Sequence, residues 1–321
     1  MKQRMIFLSS VLLSLYACQP ASQVQTDNAG TPASGPAFGA ARLTETVSVG
    51  SEKDVAGLWA GRFDSTDLQR RLVQHMRTAA TIDDYEFYEF GFIGTDDYQN
   101  LPAELRKGVE KDALYGGYYI APTNKLSLII ETFGGGTATG RSVCAGNDRP
   151  LTGTYEASGD GWTMTLREPG DDPYDGVFTV SFRQHDTLMT GTWTPYKTTT
   201  SAKTFTLHRT NFTYNPDYQF NWPSRFGDAE DLNASARLLS EADVENEPKA
   251  TLRIARTAIY ARHGYSFKNR DIRNFFEGFM EYTPVTGADL RGQLTAIELK
   301  NEALLKRYED YAEMYYDEYG R

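Results

Sequence analysis

A series of short apolar segments separated by turn residues constrains the fold of this 321-residue chain more than any other feature. Between about residues 54 and 213, segments of strand length alternate with clusters of glycine, proline and aspartate. These segments include GLWAGRF, KLSLIIETF, LTGTYEA, GWTMTLRE, GVFTVSF, LMTGTWT and KTFTLHR. Short strands at near-regular spacing predict an antiparallel meander, closed as a barrel or folded as a sandwich.

Helical spacing interrupts the strand pattern once and returns after it. Residues 67–78 and 102–113 carry apolar positions at helical intervals, which predicts a helical insertion near residues 66–113. The insertion would lie inside an antiparallel β domain that spans residues 49–215. Residues 215–228 are aromatic and carry prolines, which predicts a connection. Because the residues after this connection are helical in pattern, the predicted fold class is α+β with more than one domain.

A glycine followed two residues later by an aromatic residue recurs along the predicted strands. Examples are Gly153 with Tyr155 and Gly191 with Trp193. Glycine eases the bend of a curved strand and the ring covers it. Small calycin-like barrels are similar in this respect, so a calycin-like meander and any other antiparallel barrel both remain open.

The N-terminus has the pattern of a secretory leader at residues 1–17. Lys2 and Arg4 precede a largely apolar run that is too short to span a bilayer as a helix. The tetrapeptide LYAC, which ends at Cys18, resembles the bacterial lipobox, whose cysteine receives fatty acyl chains such as palmitate. The alternative is ordinary cleavage with Cys18 as a bystander.

Acylation of Cys18 would attach the protein to a membrane without spanning it. Residues 18–48 are rich in small and polar residues and poor in large apolar ones, which is typical of a flexible tether. Gln19 stands where an aspartate would favour retention at the inner membrane. We therefore expect a lipid-anchored protein of the cell envelope, at the outer membrane.

Net charge limits the partners that the protein can bind, and cysteine content limits how its fold is stabilised. The formal net charge is −10, and removal of Lys2 and Arg4 with the leader leaves 31 basic and 43 acidic residues. Such a surface opposes binding to nucleic acid. Cys144 is the only cysteine after Cys18, so the fold has no internal disulfide and depends on burial.

One short stretch, IYARHGYSF, combines the residue types of an active site with those of a helix end. Residues 250–263 have the pattern of an amphipathic helix, and Gly264 suits the left-handed residue that follows a helix, with Tyr265 as its apolar cover. Arg262 falls on the apolar side, so it must emerge at the helix end or be buried against a carboxylate.

His263 lies in the last turn of that helix, where the macrodipole favours a protonated imidazole. Tyr260 is three residues earlier on the same face, so the two side chains can form a hydrogen-bonded pair. Further along the chain, Thr295 and Glu298 have the spacing of a capping box, and Asn269 suits a helix N-cap.

This stretch closely resembles the YARHG domain of bacterial envelope proteins, whose five defining residues stand here at positions 260–264. The resemblance covers roughly residues 236–310, within a helical module predicted at 230–320. It also includes the segments LSEADV, FKNRD, FF, YTP and TAIE. The resemblance implies a location outside the cytosol and a helical fold, and it implies no particular chemistry.

The leading functional hypothesis is a non-catalytic protein whose YARHG module binds peptidoglycan, another glycan or an envelope protein. Tyr260, Arg262, His263 and Gly264 are the candidate binding or structural motif. One alternative is an envelope hydrolase or accessory enzyme in which His263 works with Tyr260, Glu277 or Glu281. Another is a β domain that holds a small apolar ligand in its interior.

Other chemistry-bearing residues lack the spacing that a site requires. The four histidines show no His-x-x-x-His pattern, and no Cys-x-x-Cys is present, so no metal or other cofactor is expected. Cys144 near Arg141 suggests a buried residue rather than a nucleophile. The loop GDDPYDG offers oxygen ligands for Ca²⁺ without EF-hand spacing.

Four tyrosines repeat at helical intervals near the C-terminus, and this stripe has two interpretations. It packs the last helix onto the protein, or it forms an exposed aromatic surface for a glycan or a partner. Its members are Tyr308, Tyr311, Tyr315 and Tyr319.

Overall fold

The computed structural model describes residues 55–78, 92–111, 114, 116–120, 122–220 and 232–315. The predicted leader at 1–17, Cys18 and the predicted tether at 18–48 lie outside these residues. The described part of the chain contains eleven strands and seven helices.

The strands are β1 (Gly57–Phe63), β2 (Phe92–Ile93), β3 (Val109–Lys111), β4 (Tyr118–Ile120), β5 (Lys125–Gly134), β6 (Thr137–Cys144), β7 (Asn147–Ser158), β8 (Gly161–Arg167), β9 (Gly176–Arg183), β10 (Leu188–Pro195) and β11 (Lys203–Thr210). The helices are α1 (Asp67–Thr78), α2 (Thr95–Asn100), α3 (Ala103–Arg106), α4 (Glu241–Val244), α5 (Lys249–Arg262), α6 (Arg270–Gly278) and α7 (Ala296–Tyr315). Strands therefore dominate the first two thirds of the chain and helices the last third.

Eight of the strands close into an antiparallel barrel in the order β1-β11-β10-β9-β8-β7-β6-β5. Strands β5 to β11 follow one another as a meander. Strand β1 closes the sheet, because Trp59 pairs with Leu128 of β5 on one side and with Arg209 of β11 on the other. The prediction of an antiparallel β domain followed by helices is confirmed. The β domain is a closed barrel rather than a sandwich.

The barrel interior is filled by large side chains. Strand β9 illustrates the pattern, since Phe178, Val180 and Phe182 are buried and the residues between them are exposed. The same alternation on the other strands gives one continuous core, formed by Val55, Trp59, Phe63, Leu126, Leu128, Ile130, Ala138, Leu151, Met164, Leu166, Phe178, Val180, Phe182, Met189, Trp193, Phe205 and Leu207.

Two glycines of the glycine–aromatic repeat sit where strands approach closely. A Cβ atom at Gly153 would lie 1.9 Å from the carbonyl oxygen of Thr165 on β8. At Gly191 it would lie 2.7 Å from the ring of Phe205. The repeat thus reflects tight curvature of the barrel wall, where a side chain would displace backbone or core.

The segment between β1 and β5 forms a small subdomain with its own core. Helix α1 packs with α2, α3 and the three-stranded sheet β2-β4-β3. The predicted helix at 102–113 is wrong in extent, because only Ala103–Arg106 is helical and Val109–Lys111 pairs with β4. Gly108 separates the two elements and lies so close to α1 that a Cβ would come within 3.2 Å of Leu68 Cγ.

Helix α5 lies between two apolar clusters in the C-terminal region. Its residues Ile254 and Ala258 face a cluster rich in phenylalanine, which includes Phe276 of α6. Its residues Leu252 and Ile259 face a second, aliphatic cluster with α7. Within the described residues, no helix is both long enough and apolar enough to cross a membrane.

The C-terminal helices pack against the barrel within one compact unit. The ammonium group of Lys125 on β5 donates to the carbonyl oxygens of Phe279, Met280 and Tyr282, which follow α6. At the β6–β7 turn, the Gly146 amide donates to Ser266 Oγ at 2.8 Å. These buried contacts join the two parts through specific polar bonds.

Candidate functional site

The residues Tyr260, Arg262, His263 and Gly264, here called the motif, lie at the C-terminal end of α5. The Gly264 amide donates to the Ala261 carbonyl at 2.9 Å and the Tyr265 amide donates to the Tyr260 carbonyl at 3.1 Å. This pair of bonds is the Schellman arrangement, which satisfies the last carbonyls of a helix. The predicted helix end is therefore present.

Gly264 occupies a position that only glycine fits. Its φ of +70° lies in the left-handed region, which side chains disfavour. A Cβ atom would also lie 2.5 Å from Val285 Cγ2 and 2.9 Å from the ring of Phe212. Conformation and close packing both require the glycine.

His263 is paired with Glu298, which belongs to the first turn of α7. The imidazole Nε2 lies 3.2 Å from Oε1 and 3.1 Å from Oε2 of the carboxylate. Both side chains are buried, with 8% and 0% of their surface exposed. The two residues are 35 positions apart in sequence, and the pair links the end of one helix to the start of another.

Glu298 accepts several further hydrogen bonds. The Thr295 amide donates to Oε2 at 2.8 Å, and the Glu298 amide donates to Thr295 Oγ1 at 3.2 Å, so the predicted capping box is formed. Ser235 Oγ and the Tyr214 hydroxyl both donate to Oε1, at 2.7 and 3.1 Å.

These bonds keep the Glu298 carboxylate ionised. Burial alone would raise the pKa of Glu298. The hydrogen bonds from His263, the Thr295 amide and Ser235 outweigh burial and lower this pKa from 4.5 to about 2. Because an ionised carboxylate only accepts hydrogen bonds, Nε2 of His263 must carry the proton of the shared bond.

Tyr260 makes a parallel contact one turn further along α7. Its hydroxyl donates to Glu302 Oε1 at 2.9 Å. Burial, together with the bond to the Glu302 carboxylate, raises the pKa of the Tyr260 hydroxyl to about 12. Tyr260 and His263 are therefore not bonded to each other as the sequence suggested, because each has its own glutamate on α7.

Arg262 is buried, with 6% of its surface exposed. Its Nε donates to the carbonyl oxygen of Tyr218 at 2.9 Å, and its guanidinium carbon lies 5.4 Å from the ring centroid of Phe220. Of the two alternatives from the sequence, Arg262 is buried rather than emerging at the helix end, with a carbonyl as its hydrogen-bond acceptor and the Glu298 carboxylate acting through its charge. Burial lowers the pKa of Arg262 to about 10, partly offset by the charge of Glu298.

The carboxylates named as partners of a catalytic His263 lie elsewhere. Glu277 accepts a hydrogen bond from the Lys125 amide at 3.0 Å, and Glu281 accepts from the Tyr218 hydroxyl at 2.9 Å. Sequence reasoning missed Glu298 as the partner because its capping-box role already explained it. Its spacing of four residues from Glu302 is the signal that could have linked both glutamates to the motif.

A cluster of buried ionisable side chains, which includes Lys125 and Glu277, lies where the helices meet the barrel. Burial lowers the pKa of Lys125 to about 7, with nearby Arg62 acting in the same direction. Burial raises the pKa of Glu277 to about 7. These shifts arise from the barrel–helix contact, and His263 is not part of this group.

The remaining candidates have structural explanations. Burial raises the pKa of Cys144 to about 12, which leaves the thiol protonated at neutral pH. Asp171 and Asp175 of the GDDPYDG loop accept from Arg149, with Nε 2.8 Å from Asp175 Oδ1. In the described residues, no cluster of histidine, cysteine, aspartate and glutamate side chains has the arrangement of a metal site.

The tyrosine stripe is divided between core and surface. Tyr308 packs on the aliphatic cluster beside α5, whereas 49% of Tyr311 is exposed. The side chain of Tyr315 and all of Tyr319 lie outside the described residues. The packing interpretation is therefore confirmed for Tyr308, and Tyr311 is exposed on the surface of α7.

The fold and the motif define a protein with an antiparallel barrel and a C-terminal helical domain built around a buried helix end. The family model of the YARHG domain matches residues 229–310, so this helical region is a YARHG domain at the C-terminal part of the chain. Comparison of the chain with curated proteins and with solved structures gave no match.

Proposed function

We propose that this protein is a lipid-anchored component of the bacterial envelope and that it binds a glycan of the peptidoglycan type without catalysis. The observation that carries the proposal is the internal pairing of the motif. The Tyr260 hydroxyl, Arg262 Nε and His263 Nε2 all bond to groups of the protein itself, so these three atoms are occupied without a substrate.

The burial of the motif supports a structural role rather than acid–base chemistry. General acid–base catalysis needs a side chain within hydrogen-bond reach of a substrate proton. His263 is 8% exposed, its Nε2 is held by Glu298, and the Tyr214 ring covers its face at 4.2 Å. With the motif covered in this way, the proposed glycan contacts another face of the domain.

A groove between α4 and α7 has the chemistry of a glycan site. Its volume is about 390 Å³, and its lining residues are Glu241, Glu245, Arg307, Tyr308 and Tyr311. Aromatic rings stack on sugar faces, and carboxylates accept hydrogen bonds from sugar hydroxyls. The alternative of a small apolar ligand inside the barrel is less favoured, because large side chains such as Trp59, Phe178 and Phe205 are buried in the interior.

Binding is tested by retention of the soluble mature chain on purified peptidoglycan sacculi. Tyr311→Ala removes an exposed ring from the groove, and Tyr174→Ala removes one that is 68% exposed on a barrel loop. We expect Tyr311→Ala to weaken retention about three- to tenfold, as loss of one aromatic contact predicts, and Tyr174→Ala to have no effect. Equal retention of all three proteins would reject the groove as the site.

The lipid anchor is tested separately, by mass spectrometry of the native protein and by fractionation. We expect an N-terminus at acylated Cys18, with the protein in the membrane fraction, and we expect Cys18→Ser to release it. An unprocessed Met1, or recovery of native protein with cytosolic enzymes, would reject the anchor. Neither result depends on the glycan experiment.

A further inference from the structure

Residues 212–220, here called the anchor segment, run across the motif without forming a helix or a strand. They follow the last barrel strand and precede the matched domain, which begins at residue 229. The sequence predicts a connection at residues 215–228, which overlaps the second half of this segment. In the structure this segment brings four aromatic residues against the YARHG domain, namely Phe212, Tyr214, Tyr218 and Phe220.

Two aromatic residues of the anchor segment contact the last two residues of the motif. The Phe212 ring lies against Gly264, where a Cβ atom would come within 2.9 Å of it. The Tyr214 ring stacks on the imidazole of His263, with 4.2 Å between centroids and 18° between planes.

Arg262 contacts the other end of the segment. Its guanidinium lies over Phe220, and its Nε donates to the Tyr218 carbonyl. Three of the four motif residues thus contact the anchor segment directly.

Further contacts hold the segment at both its side chains and its backbone. Phe220 is 2% exposed, and its ring meets those of Phe276 and Phe279 edge-on at 5.0 and 5.2 Å. The Asn233 amide group donates to the Pro216 carbonyl at 2.9 Å. Pockets for spaced side chains, combined with bonds to backbone carbonyls, are how protein surfaces recognise extended peptides.

We propose that the motif face of the YARHG domain is a groove for an extended peptide with the aromatic spacing Phe-x-Tyr-x3-Tyr-x-Phe, and that the anchor segment occupies it in cis. The groove offers the Arg262 guanidinium to Phe220 and the His263 ring to Tyr214. Glu298 and Glu281 accept hydrogen bonds from the two tyrosine hydroxyls. A separate peptide with the same aromatic spacing binds the groove in trans when the contacts of the anchor segment are weakened. This site is separate from the proposed glycan groove between α4 and α7.

The test uses the full mature chain and a dye-labelled peptide of residues 210–221, followed by fluorescence anisotropy. The variant Phe212→Ala/Tyr214→Ala weakens the anchor segment and keeps Arg262 and His263 intact. Since a tethered segment competes at a high effective concentration, we expect the labelled peptide to bind this variant at least about tenfold more tightly than the wild-type protein. A peptide with alanine at positions 214 and 220 is the control and should not bind.

Each outcome decides the proposal. If the folded double variant does not bind the peptide, or binds the control peptide equally well, the groove is rejected. If the double variant unfolds, its cooperative thermal transition must return when the wild-type peptide is added in trans. Failure to restore that transition would show that residues 212–220 are only part of the core.

Discussion

His263 at the C-terminal end of one helix and Glu298 in the first turn of another form a buried bond of 3.1 Å. The C-terminal end of a helix favours positive charge and the N-terminal end favours negative charge. The Glu298 carboxylate therefore stands where its own helix stabilises it, and its contact with His263 holds α5 and α7 together. The histidine of the motif acts as a link between helices.

The pH dependence of stability should report Glu298. Its pKa in the folded protein is about 2 against 4.5 for the free group, so the folded state favours the ionised form. This contribution is fully present above pH 4.5 and is lost as the pH falls toward 2, and it amounts to about 3 kcal/mol. Urea unfolding should give Glu298→Gln a lower free energy of unfolding than the wild type at pH 7. The difference between the two proteins should shrink as the pH falls. Curves that stay parallel would contradict the assignment.

Gly264→Ala should lower the free energy of unfolding by more than backbone strain alone explains. Gly135 is the matched control, since its φ of +61° is similar and a Cβ there meets nothing within 4 Å. We expect a cost of about 1–2 kcal/mol for Gly135→Ala from the left-handed conformation, and a larger cost for Gly264→Ala because of Val285 and Phe212. Denaturant unfolding measures both, and equal costs would argue against tight packing at Gly264.

Tyr260→Phe should cost about 1 kcal/mol, the typical net value of one hydrogen bond. The change removes only the hydroxyl that donates to Glu302. Tyr174→Phe, at a tyrosine that is 68% exposed on a barrel loop, serves as the control and should change stability by less than about 0.5 kcal/mol. If the two variants unfold at the same denaturant concentration, the Tyr260–Glu302 bond does not stabilise the domain.

Lys125→Met should uncouple the YARHG domain from the barrel. The change leaves the carbonyls of Phe279, Met280 and Tyr282 without their buried donor, at a cost of about 2–4 kcal/mol. Trp59, Trp162 and Trp193 lie in the barrel, and the fourth tryptophan, Trp222, is replaced by phenylalanine in every protein compared. In this Trp222→Phe background, tryptophan fluorescence follows the barrel and far-UV circular dichroism follows the helices.

In the wild-type protein these two signals should change at one temperature, whereas in Lys125→Met the helices should unfold first. Lys306→Met removes an exposed lysine of α7 and should leave the transitions together. Two separate transitions in the wild-type protein would show that the contact does not couple the two parts.

Local rules predicted those parts of the structure that depend on neighbouring residues. The alternation of β9, the capping box of Thr295 and the helix end at Gly264 all follow from short-range geometry. Strand β6 was not predicted because its inward positions Ala138, Gly140 and Ser142 are small or polar and give no apolar alternation.

Contacts between distant residues could not be predicted in the same way. The partner of His263 is 35 residues away, and its identity depends on how α5 and α7 pack. The aromatic residues of 212–220 carry no periodic signal, and the sequence predicts only a connection at residues 215–228. Composition alone could not show which surface they cover.

A double-mutant cycle between His263 and Glu298 tests most directly whether the motif is a buried structural link. His263→Phe keeps a ring beside Tyr214 and removes the nitrogen, and Glu298→Gln removes the charge. Urea unfolding of the wild type, both single variants and the double variant at pH 7 gives the coupling energy. A buried structural link should give a coupling energy of at least about 1.5 kcal/mol, and additivity within about 0.5 kcal/mol would contradict that role.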